Sequence, residues 1–309
     1  MIASHEWHFL VVSKTRMSNT LDQAGYRAWE GRPHSSWWGC WTLVRFGMGL
    51  IFRRWLFWLL IGLGLMNFLF NFAFIYLKAT IVVQAGGDMA RFLDNYKVTG
   101  SGDAYLDFMT AQAAITALLL AFAGSTLIGN DYRQGGMIFY LSRSLSPAQY
   151  IVGKLLAVSA VVLIITMVPA VVLYVQYGLL SSSLDYFQTE WRILFGIVGY
   201  GLVLAISQSL MLFAIAAWIP RTVPLVMTWL GMFTLLTTLA HALYEIRDQK
   251  RWMLLALWDN MYRVGKWCFG AEMGRRDPSS LESLWVLLAV GALCLVLIIR
   301  RVRAVEVVA

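Results

Sequence analysis

Few residues in this 309-residue chain could do chemistry, and their spacing excludes most reactions. Cys40, Cys268 and Cys294 are far apart and form no Cys-x-x-Cys pair, so neither a zinc site nor a disulfide framework is expected. Ser125 and His241 are a lone serine and a lone histidine inside apolar runs. Without Gly-x-Ser-x-Gly, His-Glu-x-x-His or a pair of intramembrane carboxylates, there is no nucleophile with its base for intramembrane proteolysis. Gly153-Lys154 is followed by Leu155, and no glycine stands five residues before Gly153, so the phosphate-cradling Walker A loop is absent. The chain is therefore expected to carry no catalytic, metal or cofactor site of its own.

The richest stretch is GNDYRQGGMIFYLSRSLSPAQYIVGK, residues 129–154. Asp131, Tyr132 and Arg133 leave an apolar run, Gly135-Gly136 allows a bend, and Met137, Ile138, Tyr140 and Leu141 make a short amphipathic turn or two. Ser146-Pro147 is a helix start, with serine as N-cap and proline at the first helical position. The next run then opens through Tyr150, Gly153 and Lys154. So much apolar and aromatic content suits a surface helix on which another protein docks better than it suits a solvated linker.

The elements that position this stretch follow from composition. Hydrophobic residues make up 59% of the chain and charged ones 14%, too few charges to cover a water-facing surface. A spanning helix needs about 20 apolar residues. Charge-free runs at 55–77, 108–130, 155–184, 193–220, 222–244 and 283–299 give six expected spans. They are too long and continuous for barrel strands, so the expected class is all-α, polytopic, with six transmembrane helices. In such a chain the net charge of +8 reflects basic residues near span ends and does not call for a nucleic-acid partner.

With six spans both termini share one side, which then holds 14 of the 25 lysines and arginines, including Arg53, Arg54 and Arg300, Arg301, Arg303 beside spans. That asymmetry places both termini in the cytoplasm. Residues 1–25 read as an N-terminal extension without a cleavable signal, Met17 being an alternative start. Residues 26–54 mix Trp29, Trp37, Trp38, Trp41 and Phe46 with Arg27, Arg32, Arg45, Arg53 and Arg54, as in a helix lying in the membrane interface. The 245–282 loop, with seven basic residues among apolar stretches, is expected to form one or two short helices over the outer mouth; the alternative puts part of it on the cytoplasmic side.

Apart from His241, the runs lack ionisable residues, which disfavours a gradient-driven carrier. Asn67, Asn71, Gln112, Thr116, Gln176, Ser207, Gln208 and Ser209, with Thr228, Thr234, Thr237 and Thr238 in the fifth run, are expected to hydrogen-bond between helices and to satisfy backbone groups rather than to form a substrate site.

Residues 129–154 resemble the signature of type-2 ABC transporter permeases: an acidic residue ending the second span, then Arg and Gly, a Tyr-Leu-Ser-Arg-Pro-Leu-Ser-like turn, and Tyr and Gly-Lys opening the third. Asp131, Arg133, Gly135, Tyr140, Leu141, Ser142, Arg143, Leu145, Ser146, Tyr150, Gly153 and Lys154 match; Ser144 departs, where the family usually has Pro. The motif covers about a tenth of the chain, and the six-span layout with its pre-span helix extends the match. The resemblance implies a permease subunit in a bacterial inner membrane, an exporter working as a dimer with itself or a related permease. ATP and Mg would be bound by separate cytoplasmic ABC ATPase subunits. Asp131, Arg133, Tyr140, Leu141, Arg143, Ser146, Tyr150 and Lys154 would then couple to the ATPase, and Trp37, Trp38 and Arg45 would lie on the interfacial helix. The path, free of fixed charge, favours a hydrophobic or amphipathic cargo. The competing expectation is a membrane-embedded enzyme or envelope-assembly subunit without transport activity.

Overall fold

The computed structural model describes residues 36–84, 100–136, 145–180, 185–274 and 277–306; at 36–37, 78–84, 185 and 304–306 it describes the backbone alone. The elements are α1 (Ser36–Phe52), α2 (Trp55–Gln84), α3 (Gly102–Arg133), α4 (Pro147–Leu180), a short α5 (Asp185–Thr189), α6 (Trp191–Trp218), α7 (Thr222–Arg247), a 3₁₀ turn (Lys250–Leu255), α8 (Leu257–Phe269) and α9 (Ser280–Glu306). No strand occurs among the described residues. Helices α2, α3, α4, α6, α7 and α9 are long and apolar enough to cross a membrane. A spanning segment must satisfy its own backbone polar groups, and a continuous helix does so.

Several helices extend past the charge-free runs that announced them. The second run was expected to start at 108, but α3 begins at Gly102 and takes in Asp103 and Asp107; α4 begins at Pro147 and takes in Lys154. Charges at span ends find polar partners there, so absence of charge marks only a helix's middle. The connection between α3 and α4 is correspondingly shorter than 130–154. Asp131 and Arg133 belong to the end of α3, while Tyr150, Gly153 and Lys154 belong to α4.

The starts of α2, α4 and α7 gather with the ends of α3, α6 and α9 at one end of the bundle, here the termini end. Arg301 of α9 stacks over Trp218 of α6 and Tyr132 of α3, 5.4 and 5.8 Å from the ring centroids. At the opposite, far end, α8 packs against α3 and α6: Phe269 lies against Gly102 and Gly196, and Tyr200 and Leu106 against Gly265. The 245–282 segment therefore sits at the far end and forms the expected short helices.

Helix α3 is the hub, with 72% of its most apolar window buried against 17% in α2. Its neighbours attach through the intramembrane polar residues. Gln112 Nε2 donates to Gly64 O of α2 (2.9 Å), Gln208 Nε2 of α6 to Ala113 O (3.5 Å), and the fully buried Trp229 Nε1 of α7 to Ala117 O (2.8 Å). Ser159 Oγ of α4 donates to Ser209 Oγ of α6 (3.1 Å), and Gln176 Nε2 to Phe72 O of α2 (2.9 Å). Gln112, Gln176, Gln208 and Ser209 thus fasten helices together, whereas Asn71, Thr116, Thr234 and Thr238 donate to carbonyls one turn back in their own helices, on Asn67, Gln112, Leu230 and Thr234.

Candidate functional site

The termini end carries a buried ionic node. Near its end α3 departs from α geometry in a π turn, Ser125–Gly129, and then resumes through Asn130–Arg133. From α4, Lys154 Nζ reaches back to pair with Asp131 Oδ2 (2.7 Å) and donates to Leu127 O inside the π turn (2.6 Å). Tyr150 Oη, one helical turn before Lys154, donates to the same Asp131 oxygen (2.9 Å). The lysine side chain is 2% exposed and the aspartate 14%. Desolvating such a pair is costly unless each group has further hydrogen bonds, and here the carbonyl and the phenol supply them.

Three supports surround the node. Helix α1 presents a buried stripe, Cys40, Leu43, Val44 and Ile51, to the start of α4, and Cys40 Sγ donates to Gln149 O (3.4 Å). Gly153 lets the two helices close: a Cβ there would stand 3.0 Å from a Leu43 methyl. The corner between α6 and α7 rests on the π turn. Thr222 Oγ1 donates to Ser125 Oγ (3.0 Å), and a Cβ on Gly129 would meet Pro220 O at 2.8 Å. Behind them Arg301 Nε donates to Ala217 O (3.3 Å).

Helix α4 starts as the sequence indicated. Ser146 Oγ accepts from Gln149 N (3.3 Å) and Gln149 Oε1 accepts from Ser146 N (2.9 Å), a capping box with Pro147 at the first helical position. Gly135, with φ +67°, takes the left-handed conformation that turns the chain away from α3.

Of the residues singled out above, the fold brings Asp131, Tyr150 and Lys154 into one contact set, with Ser146 capping the same helix. Arg133 is exposed on the last turn of α3, and Arg45 and Trp38 are exposed on α1, opposite its buried stripe. Tyr140, Leu141, Ser142 and Arg143 lie outside the described residues, as do the 1–25 extension, residues 26–35 and the side chain of Trp37.

Sequence reasoning missed a second buried cation, Arg263 of α8, at the far end. Its Nη1 donates to Asn260 Oδ1 (3.0 Å) and Met253 O (3.2 Å), while Nη2 and Nε face Asp259 (3.9 Å) and Asp277 (3.6 Å). Lys266 also pairs with Asp277 (3.4 Å), and His241 Nε2 lies 3.2 Å from Asp259 Oδ2, a structural place for the lone histidine of the apolar runs. The signal was present: Leu257, Met261, Val264 and Phe269 recur at helical spacing, and all are buried. Tyr262 Oη donates to Asp107 of α3 (3.1 Å), and burial together with the nearby Asp107 charge pushes its phenol pKa up to about 12.

Neither end holds the makings of a metal centre: among the described residues no group of three His, Cys, Asp or Glu side chains could bind an ion. Comparison of the chain with models of known protein families and with curated protein sequences gives no match.

Proposed function

We propose that this multi-pass membrane protein is the permease subunit of an ATP-binding-cassette transporter, an exporter, driven by separate ATPase subunits that dock on the connection between α3 and α4. The observation that carries the reading is the Asp131–Lys154–Tyr150 node, which fastens the two helix ends flanking that connection to each other. A force applied to the connection would be passed to α3, the hub, and to α4 together, because an ion pair and two hydrogen bonds join their ends inside a packed corner. Helix α1 braces the start of α4 from the other side, as the pre-span helix of the resembling family is expected to do.

In this reading the half-buried Asp131 and the buried Tyr150 and Lys154 are positioning residues. Contact with the ATPase belongs to exposed Arg133 and to Tyr140, Leu141 and Arg143. No Asp, Glu, Lys, Arg or His lies in the middle of the described spans, consistent with driving energy that arrives from outside the membrane. A second copy of the chain or a related permease would complete the path, and the cytoplasmic membrane is its proposed location, with both termini inside.

The test is capture of the full chain from detergent-solubilised membranes, with its bound proteins identified by mass spectrometry. Recovery of a soluble ATPase bearing Walker A and B motifs is expected, its ATP hydrolysis being stimulated by the wild-type chain and not by Arg143→Ala. Capture without such an ATPase would return the chain to the class of membrane-embedded enzymes or assembly subunits.

A further inference from the structure

A cavity of about 500 Å³ opens where α1 turns into α2, and it is separate from the ionic node. Its walls are apolar, with Leu60 and Phe122 among them, whereas its mouth carries Arg53 and Arg54. Both arginines are exposed and form no ion pair among the described residues. They stand at the N-terminus of the 30-residue helix α2, where Phe57 N donates to Arg54 O (3.1 Å) and the N–H groups of Trp55 and Leu56 remain for an anion, so helix and side chains favour negative charge at the same place.

A second, independent feature lines the same cavity. Thr126, in the π turn of α3, is 6% exposed, and its Oγ1 has no hydrogen-bond partner. A threonine inside a regular helix commonly donates to the carbonyl four residues back, as Thr110, Thr116 and Thr166 do in this chain. An unpaired buried hydroxyl is unfavourable unless a ligand or water completes it.

The combination selects the ligand's chemistry. Two guanidinium groups and a helix N-terminus require negative charge, the apolar wall requires a hydrocarbon chain, and the place is a span end, where lipid headgroups meet the protein. Among the described residues no carboxylate lines the cavity to receive the ammonium of a zwitterionic headgroup. We infer that this cavity is a binding site for one anionic phospholipid, its phosphodiester held by Arg53 and Arg54, its glycerol ester region against the Thr126 hydroxyl and an acyl chain along Leu60 and Phe122. Lipid bound there would tie the α1–α2 corner to α3. The inference does not depend on what the protein transports.

Native mass spectrometry of the full-length chain from detergent, titrated with phosphatidylglycerol and with phosphatidylcholine of the same acyl chains, tests it. Wild type is expected to retain one phosphatidylglycerol in preference to phosphatidylcholine by on the order of tenfold, the effect of two basic residues at an anionic headgroup. Arg53→Gln with Arg54→Gln should abolish the preference. The near-isosteric Thr126→Val, which keeps both charges, should lower phosphatidylglycerol retention several-fold while the thermal midpoint in lipid-free detergent stays level or rises. Equal retention of the two lipids by wild type would mean a plain apolar groove and overturn the proposal. So would a preference that persists in the double variant, or retention unaffected by Thr126→Val, as when a second copy of the chain covers the cavity instead.

Discussion

Among the described residues each end of the bundle buries one cation, and the two are used differently. At the termini end Lys154 joins two spanning helices across a chain separation of 23 residues, pairing with the Asp131 carboxylate and donating to the Leu127 carbonyl. At the far end Arg263 gathers partners from its own neighbourhood, Met253, Asn260, Asp259 and Asp277, all within 14 residues of it. The forked guanidinium suits the second task, since its five donors reach several acceptors at once; the ammonium is a point charge suited to one close pair. The far end is thus a cap folded on itself, pressed onto α3 and α6 by apolar contacts. The termini end is a joint, in which one ion pair decides how two spans are held.

If this contrast is right, the largest effect belongs to the joint. Lys154→Met leaves Asp131 buried without its partner charge and should cost about 3–5 kcal/mol, the range for breaking a buried pair. Thermal unfolding in detergent should show it, with hydrogen exchange rising at the ends of α3 and α4 while α8 stays protected. Equal loss of protection at both ends would erase the distinction. Arg263→Lys keeps the charge and loses the fork. It should cost about 1–3 kcal/mol for the acceptors left unsatisfied, with exchange rising in α8 alone.

Gly129→Ala sharpens the joint's boundary. Its new methyl group would press on backbone atoms of Pro220, which cannot rotate away, and overpacking of this kind costs about 1–3 kcal/mol. A variant that unfolds like wild type would show that the α6–α7 corner is not seated on the π turn.

The smallest effect concerns the cap at high pH. The phenol of Tyr262 is neutral in the fold, and its pKa is raised from 10.0 to about 12. Its contribution to stability is therefore fully present below pH 10 and is lost as pH rises through about 12. Tyr262→Phe should remove that part of the alkaline loss, together with the late-titrating phenolate in an absorbance difference titration, at a cost of about 0.5–1.5 kcal/mol at neutral pH for the missing hydrogen bond.

The same contrast explains what could be read from the sequence. The spans announced themselves because uncharged runs of that length have few other uses, and Ser146-Pro147 announced the start of α4 because its capping chemistry is local. Asp131, Tyr150 and Lys154 drew notice through a resemblance, and the fold adds that they meet one another, with Tyr150 and Lys154 buried. Arg263 escaped because a charge in a loop rich in arginine and lysine reads as solvated; only the apolar spacing of α8 pointed inward. The reach of Asp107 to Tyr262, and of Asp131 to Lys154, was hidden for a related reason. A search for charge-free runs discards the charges that finish a helix, and those charges make the contacts between elements distant in sequence.

The π turn at Ser125–Gly129 sets the rotational phase of everything after it. Each residue of a regular helix advances by about 100°, and a π turn takes up one residue more than an α turn, so rewinding this turn into α geometry with all its residues kept would swing Asp131 about a quarter turn around the helix axis. The carboxylate would then face away from α4, and the lysine would stay behind in apolar surroundings with no counter-charge. A single extra residue in the hub helix therefore works as an indexing tooth: it determines which face α3 shows to its neighbour at the membrane boundary, and a motion that wound or unwound it would engage or release the joint without breaking any span.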